Sequence, residues 1–196
     1  RGLEKAFPDV TLRQTYGLIE LGVLRAKSRD NGSLWVKIGG EGYDIRVIDG
    51  ILQIKAVSTM LGYLNAPSPM TEDGYFITGD RVEVDGDYLR ILGRDSDLIN
   101  VGGQKVFPAE VEAALLSIPS VEDALVYGES HPLTGKIVCA DIKIVDSLAG
   151  NFDEKVGRID IKQRCMEILE PFKVPVRIKF VTDGMYTDRL KHVRHR

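Results

Sequence analysis

A strand-rich run over residues 75–112 carries the side chains best suited to chemistry. Asp80 offers two acceptor oxygens and no donor, which suits a ligand with two neighbouring hydroxyl groups. Arg94 follows after one predicted hairpin, so the carboxylate and the guanidinium can meet at the open end of that hairpin. The structural alternative is that Gly79 and Asp80 only turn the chain and leave Asp80 exposed. The spacing favours a shared polar site.

A glycine pair and two lysines extend the set of candidate residues. Gly102 and Gly103 permit a close approach of another molecule to the backbone, although such a pair is also common in ordinary turns. Lys105 follows this pair directly after Gln104. Lys191 lies in a basic tail, where a flexible ammonium group can offset negative charge that develops on a phosphate. The alternative for Lys191 is one solvated cation among several.

Four short elements stand in a fixed order along the chain. They are Thr-Tyr-Gly-Leu-Ile-Glu at residues 15–20, Tyr-Phe-Ile-Thr-Gly-Asp at 75–80, Gly-Arg-Asp-Ser-Asp-Leu-Ile-Asn-Val-Gly-Gly-Gln-Lys at 93–105, and Thr-Asp-Arg-Leu-Lys-His-Val-Arg at 187–194. This ordered set resembles the signature of AMP-forming adenylating enzymes, which include acyl-CoA synthetases, luciferases and peptide-synthetase adenylation domains. The resemblance covers nearly the whole chain.

The resemblance implies roles for the residues of the first half. It implies that the Tyr16 ring packs near adenine and that Glu20 helps to hold magnesium. A hard cation coordinated by phosphates needs a nearby carboxylate oxygen, so Glu20 is chemically suitable. Asp80 is implied to accept hydrogen bonds from both ribose hydroxyls, and Arg94 also to reach the ribose. Ile19 stands where the family has a threonine that contacts phosphate.

The resemblance also implies roles for the second half. In the family, a lid domain rotates about the position two residues after the arginine. Here that position is Ser96, a small residue that can accept changes in φ and ψ. Gly102, Gly103 and Lys105 are implied to face the incoming thiol. Lys191 is implied to be the catalytic lysine that bridges the carboxylate substrate and the α-phosphate.

The elements that must position these residues differ between the two halves. Alternating residues over 22–92, with turn signals at Asp49-Gly50 and Asp85-Gly86, predict short antiparallel strands. After Gly93 the pattern predicts two helices among strands. The first helix begins near Pro108. The second is predicted to bury one face, made of Ile161, Cys165, Ile168 and Leu169.

These patterns predict a mixed α/β (α+β) fold in two parts. Residues 1–94 are predicted to form an antiparallel β-barrel-like subdomain, which the resemblance assigns to the end of a large AMP-binding domain. Residues 95–196 are predicted to form a small α+β C-terminal domain, which the resemblance assigns to the mobile lid.

The composition narrows the classes of function. The 196 residues are 43% hydrophobic and 28% charged, with a formal net charge of −3, as in ordinary globular domains. Basic residues are spread along the chain, which disfavours a nucleic-acid or anionic-membrane surface. No apolar run approaches the roughly 20 residues of a transmembrane helix, and no signal peptide is visible. Cys139 and Cys165 lie in apolar runs, which predicts buried free thiols in a reducing, cytoplasmic compartment.

We therefore predict a fragment of an AMP-forming acid–thiol ligase, most similar to fatty or other acyl-CoA synthetases. Its partners would be a small carboxylate, ATP with Mg²⁺, and coenzyme A. The family's Ser/Thr/Gly-rich phosphate loop has no counterpart in these residues, so the fragment alone is expected to be inactive. One alternative is an acyl-AMP ligase or an adenylation domain that loads a carrier-protein pantetheine. Another is a catalytically degenerate nucleotide-binding relative, which Ile19, Ser96 and Leu190 favour.

Overall fold

The computed structural model describes residues 9–11, 13–150 and 152–182 of the chain. The chain divides into two compact units, and the division falls between Asp95 and Ser96. This division lies one residue beyond the domain boundary expected from the sequence. Each unit has its own buried apolar cluster. The two units are described separately.

The first unit is built from antiparallel strands. In the part of it that is described, the strands are β1 (Tyr16–Leu18), β2 (Gly22–Leu24), β3 (Ala26–Ser28), β4 (Trp35–Ile38), β5 (Tyr43–Ile48), β6 (Ile51–Ala56), β7 (Phe76–Asp85) and β8 (Tyr88–Arg94). β1 and β2 form a separate two-stranded ribbon, and the other six form one sheet in the order β3-β4-β8-β7-β6-β5. Among the described residues this sheet is open, with β3 and β5 at its edges, whereas a closed barrel would join them.

Two tight hairpins set the register of this sheet. Asp49 and Gly50 connect β5 to β6 with φ values of 52° and 78°, as the sequence predicted, because a two-residue turn of this kind needs positive φ. The second turn is displaced by one residue from the prediction. Asp85 still pairs with Tyr88, so Gly86 and Asp87 form the loop, and Gly86 adopts a φ of 58°.

The core face of β7 contains two polar residues. Phe76, Thr78, Asp80 and Val82 alternate along the strand, and all four side chains are buried. Apolar residues at such positions pack into the core, which here includes Leu52 and Ile54 of β6. A threonine and an aspartate in this row therefore need internal hydrogen-bond partners.

The second unit combines a mixed sheet with helices. Its described elements are β9 (Ile99–Val101), β10 (Gln104–Val106), α1 (Pro108–Leu116), β11 (Val121–His131), β12 (Gly135–Ile144), α2 (Asp146–Ala149), α3 (Glu154–Ile168) and β13 (Arg177–Phe180). β10, β9, β12 and β11 are antiparallel neighbours in that order, and β13 pairs with β12 in parallel. Mixed helix and sheet content was predicted and is confirmed.

The helices of the second unit follow the predicted pattern with one correction. α1 begins at Pro108, where a missing N–H is tolerated, and it buries Val111 and Leu115. On α3 the prediction was wrong for Ile168, whose side chain is 59% exposed. The helix ends at Ile168, and Leu169 leaves it in an extended conformation and packs into the core instead.

Both cysteines are free and buried, as predicted. Burial raises the pKa of Cys165 to about 11, and burial together with the nearby Glu129 charge raises that of Cys139 to about 11. Within the described residues, no helix has the length and apolar character that crossing a membrane requires.

Candidate functional site

Asp80 and Arg94 lie directly opposite each other on β7 and β8. Arg94 Nε lies 2.8 Å from Asp80 Oδ1, and Arg94 Nη1 donates a hydrogen bond of 3.0 Å to the Thr78 carbonyl. The Tyr16 hydroxyl donates to the other carboxylate oxygen, Asp80 Oδ2, at 2.5 Å. The two side chains thus meet as the hairpin spacing predicted. The alternative of an exposed turn aspartate is wrong, because Asp80 is buried.

Thr78 fixes the backbone around the carboxylate. Its hydroxyl donates to the Leu52 carbonyl at 2.8 Å and accepts from the Asp80 N–H at 3.0 Å. The chain passes through Gly79 at a φ of 73°, and β7 is irregular after Arg81. Thr78 was not among the predicted site residues. The two-residue alternation that places it beside Asp80 on the core face could have identified it.

The local electrostatics keep Tyr16 protonated. Burial raises the pKa of the Tyr16 phenol far above its usual range, and the hydrogen bond and charge of Asp80 raise it further. Thr78 and Arg94 oppose this shift more weakly. The raised pKa favours the protonated phenol, which is the form that donates to Asp80 Oδ2. Only 8% of the Asp80 side chain is exposed, whereas 51% of the Arg94 side chain is, so the guanidinium forms the outer edge of the site.

Glu20 is hydrogen-bonded to a second tyrosine of the first unit, Tyr63. It lies in the turn between β1 and β2, where its carbonyl accepts the Met60 N–H at 2.9 Å. The Tyr63 hydroxyl donates to Glu20 Oε1 at 2.7 Å. This hydrogen bond is the main cause of the raised pKa of Tyr63. The positive charge of Arg94 acts in the opposite direction and lowers that pKa. Tyr63 was missed because its loop carries no periodic pattern.

The residues near Glu20 constrain the kind of metal that fits. Among the residues that the structure describes, no group of three or more His, Cys, Asp or Glu side chains could hold a metal ion. A single carboxylate such as that of Glu20 is chemically suited to a cation like Mg²⁺, which takes one or two protein carboxylates and otherwise keeps water and phosphate oxygens. Ile19 on the same turn is 98% exposed.

Ser96 is the first residue of the second unit. It lies in a 3₁₀ turn, Asp95–Asp97, and its hydroxyl donates to Asp97 Oδ1 at 3.1 Å. The preceding Asp95 is anchored to the first unit, because Arg81 donates to Asp95 Oδ1 from Nε at 2.9 Å and from Nη2 at 2.7 Å. Arg81 Nη1 also donates to the Asp49 carbonyl at 3.0 Å. The Arg81–Asp95 pair was not predicted.

Gly102 and Gly103 form the two-residue turn between β9 and β10. Their φ values are 59° and 91°, and nothing lies within 4 Å of where a Cβ would stand on either residue. Backbone conformation, rather than close approach of another group, therefore requires glycine here. Asn100 Oδ1 accepts the Gly103 N–H at 2.8 Å, and Lys105 pairs with Asn100 across the hairpin.

The predicted site residues thus fall into separate groups. The structure brings together Tyr16, Asp80 and Arg94. Glu20 bonds to Tyr63 in the same unit, while the glycine pair and Lys105 belong to the other unit. Lys191 and the whole element 187–194 lie outside the described residues.

Comparison with known proteins identifies the family. Residues 110–189 match the family profile of the AMP-binding enzyme C-terminal domain. A 2-succinylbenzoate–CoA ligase from Geobacillus sp. strain WCH70 is 32% identical over 197 residues, which cover 98% of this chain. The chain belongs to the AMP-forming adenylating enzymes. Another member of this family, the human mitochondrial acyl-coenzyme A synthetase ACSM1, is 28% identical over 88% of the chain.

Solved structures of adenylating enzymes share the fold. MatB from Rhodopseudomonas palustris with bound ATP superposes with a TM-score of 0.73 and 28% identity, over 88% of this chain and 37% of that one. An anthranilate CoA ligase, AuaEII, in complex with anthranoyl-AMP gives a TM-score of 0.68 and 26% identity over 78% of this chain. The chain spans 38% of the length of the Geobacillus ligase and 33% of that of ACSM1.

Proposed function

We propose that this chain supplies the ribose-binding residues and the C-terminal domain of an ATP-dependent carboxylate ligase. One observation carries the proposal: a buried carboxylate, Asp80, is held in place by Arg94 and by the hydroxyl of Tyr16. A fixed pair of acceptor oxygens is what the two neighbouring hydroxyls of a ribose need. Arg94, at the exposed side of the pair, can also reach the sugar.

The similarity to CoA ligases supports a particular reaction. In the first step a substrate carboxylate attacks the α-phosphorus of ATP, and pyrophosphate leaves. In the second step the sulfur of coenzyme A attacks the carbonyl carbon of the mixed anhydride, the thiol proton is lost and AMP leaves. The relatives are named as CoA ligases, and the MatB structure contains ATP.

Two further residues of the first unit, Tyr16 and Glu20, are proposed to take part in binding the nucleotide. The Tyr16 ring lies beside the ribose-binding carboxylate, where it can pack against adenine. Glu20, oriented by Tyr63, would provide one oxygen to the Mg²⁺ that ATP carries. That cation would neutralise part of the charge on the phosphates.

The second unit would contribute to both steps of the reaction. Ser96 follows the anchored Asp95 and is the proposed hinge. Gly102, Gly103 and Lys105 are proposed to face the thiol, since their hairpin turn is exposed. Lys191 is proposed to offset the charge that develops during adenylation.

The binding of AMP to the chain tests this function. We expect Asp80→Asn to weaken AMP binding at least tenfold, because an amide replaces one acceptor oxygen with a donor. Asp85→Asn is a matched control on the same strand, because Asp85 also pairs with an arginine, Arg29, but at the exposed end of β7. Titrations followed by NMR of the Arg94 side chain would measure both. Equal AMP affinity of the Asp80→Asn variant and the unchanged chain would overturn the proposal.

Catalysis gives a second test. The 196 residues contain no counterpart of the family's phosphate loop. We therefore expect the chain by itself to catalyse no ATP–pyrophosphate exchange with any carboxylate. Exchange above the rate of a heat-denatured sample would show that this chain can hold the phosphates of ATP without that loop.

A further inference from the structure

The pairing of β6 with β7 is interrupted beside the Asp80 carboxylate. Leu52 of β6 alone lies opposite three residues of β7, 78–80, whereas the residues on both sides of it keep single partners. Such an insertion is a β-bulge, which bends a strand and changes the direction in which a side chain points. Thr78 and Asp80 are both buried within it. Their backbone groups therefore need hydrogen-bond partners other than those of a regular ladder.

The Thr78 hydroxyl bridges the two strands at this bulge. It donates to the Leu52 carbonyl of β6 at 2.8 Å and accepts the Asp80 N–H of β7 at 3.0 Å. In a regular antiparallel ladder, a carbonyl and an N–H of neighbouring strands bond to each other directly. Here one side-chain oxygen stands between them. The hydroxyl thus holds the backbone from which the Asp80 carboxylate projects.

The backbone of Thr78 also holds the second group of the proposed ribose site. The Thr78 carbonyl accepts a hydrogen bond from Arg94 Nη1 at 3.0 Å, while Arg94 Nε lies 2.8 Å from Asp80 Oδ1. The carboxylate and the guanidinium are therefore both attached to residue 78, one through its hydroxyl and the other through its carbonyl. A change in the backbone at this residue would move both groups.

We infer that Thr78 is a positioning residue, whose hydroxyl holds the bulge of β7 in the conformation that presents Asp80 and Arg94 to a ribose. The inference rests on the proposed function and names the group that fixes its site. Loss of the hydroxyl leaves a buried carbonyl and a buried N–H without this partner, which is unfavourable, so the bulge should rearrange. Binding groups need to stay within about 0.5 Å of their productive geometry, and such a rearrangement exceeds that margin.

Two pairs of proteins that differ at the hydroxyl test this role. The unchanged chain and Thr78→Val have side chains of similar size, and Thr78→Ser and Thr78→Ala form a second, smaller pair. The ligands are AMP and 2′,3′-dideoxy-AMP, which lacks both ribose hydroxyls. Within each pair, we expect the protein without the hydroxyl to bind AMP about tenfold more weakly, which is about 1.4 kcal/mol. Its affinity for dideoxy-AMP should stay the same, because that ligand has no hydroxyl to offer to Asp80.

A matched control removes a similar hydrogen bond elsewhere in the first unit. The Thr71 hydroxyl also accepts a backbone N–H, that of Tyr75 at 2.9 Å, but in the loop before β7. We expect Thr71→Val to leave the ratio of the two affinities unchanged. NMR titrations of all five proteins with both ligands would give these ratios.

The outcomes separate this inference from the proposed function. If the unchanged chain prefers AMP, and loss of the Thr78 hydroxyl either has no effect or weakens both ligands equally, then the positioning role is wrong and the proposed function stands. If the unchanged chain binds both ligands equally, then both proposals are wrong.

Hydrogen exchange in the unchanged chain tests the bridge even if a variant does not fold. The Asp80 amide should exchange as slowly as that of Val82, whose N–H is bonded to the Gly50 carbonyl at 2.9 Å. Slow exchange would support the bridge. Exchange of the Asp80 amide at the rate of an exposed loop would show that the Thr78 hydroxyl does not hold it, and would overturn the inference.

Discussion

The buried carboxylate of Asp80 depends on a guanidinium whose shape matters as much as its charge. Arg94 reaches Asp80 through Nε and the Thr78 carbonyl through Nη1, so one planar group bridges a side chain and the backbone. An ammonium group is a compact point charge on a flexible stem and lacks this planar, pre-oriented pair of donors. Charge alone is therefore insufficient at this position.

We predict that Arg94→Lys lowers the free energy of unfolding of the first unit by about 1 kcal/mol, the value of one hydrogen bond. Arg90→Lys is a control on the same strand, since Arg90 pairs with Glu83 and both side chains are at least 40% exposed. Such surface pairs contribute about 0–1 kcal/mol, so a smaller effect is expected there. Urea denaturation followed by Trp35 fluorescence would compare the two. Equal losses would mean that the contact with the Thr78 carbonyl contributes nothing.

At the scale of single elements, two glycines are required for opposite reasons. Gly102 stands in open space and is needed for its positive φ. Gly157 lies inside α3 in ordinary helical backbone, but a Cβ there would stand 2.1 Å from Cζ of Phe152. The Phe152 ring in turn packs edge-on against Phe180, with ring centres 4.8 Å apart. One glycine therefore permits a turn, and the other permits helix packing.

We predict that Gly102→Val destabilises the second unit by about 1–2 kcal/mol, because a β-branched residue resists a φ near 59°. Gly102→Asn should be nearly neutral, since asparagine tolerates this region and is favoured in such turns. Thermal unfolding of both variants, followed by circular dichroism, measures the difference. If valine and asparagine are equally tolerated, then the turn has another conformation in solution.

We predict that Gly157→Ala also destabilises the second unit, although alanine in a helix interior usually gains about 1 kcal/mol over glycine. Overpacking against Phe152 should exceed this gain and leave a net loss of about 1–2 kcal/mol. Adding Phe152→Leu should remove part of the loss, since the two positions are in contact. A stabilised Gly157→Ala variant would contradict the packing of Phe152 on the helix.

At the scale of the whole molecule, local sequence patterns predicted the strands and helices. They did not predict side-chain contacts between residues that are far apart in the sequence. Alternation and turn residues located the Asp49-Gly50 hairpin and the pairing of Asp80 with Arg94, because a single hairpin turn joins the two strands in each case. Tyr16 meets Asp80 across 64 positions, and the Tyr63–Glu20 contact spans 43. Such pairs depend on how the ribbon and the loop pack on the sheet, and no periodicity records that.

We predict that neither thiol reacts with an aromatic disulfide reagent at pH 8 while the chain is folded, because Cys139 and Cys165 are buried and their pKa values are raised to about 11. Both should react in urea. The folded state disfavours the thiolates, so the two buried cysteines favour folding while they are protonated. This contribution to the free energy of unfolding is fully present below about pH 9. It is lost as the pH rises from about 9 towards 11. Rapid labelling of the folded chain at pH 8 would contradict the buried positions.

The contact between Arg81 and Asp95 decides where the chain can best be divided for experiments. A polypeptide that stops at Asp95 keeps this ion pair, because both partners belong to the first unit. One that stops a single residue earlier leaves the Arg81 guanidinium beside the Asp49 carbonyl without its carboxylate. Expression of the two halves for isotope labelling or for segmental ligation should therefore use the peptide bond between Asp95 and Ser96 as the junction.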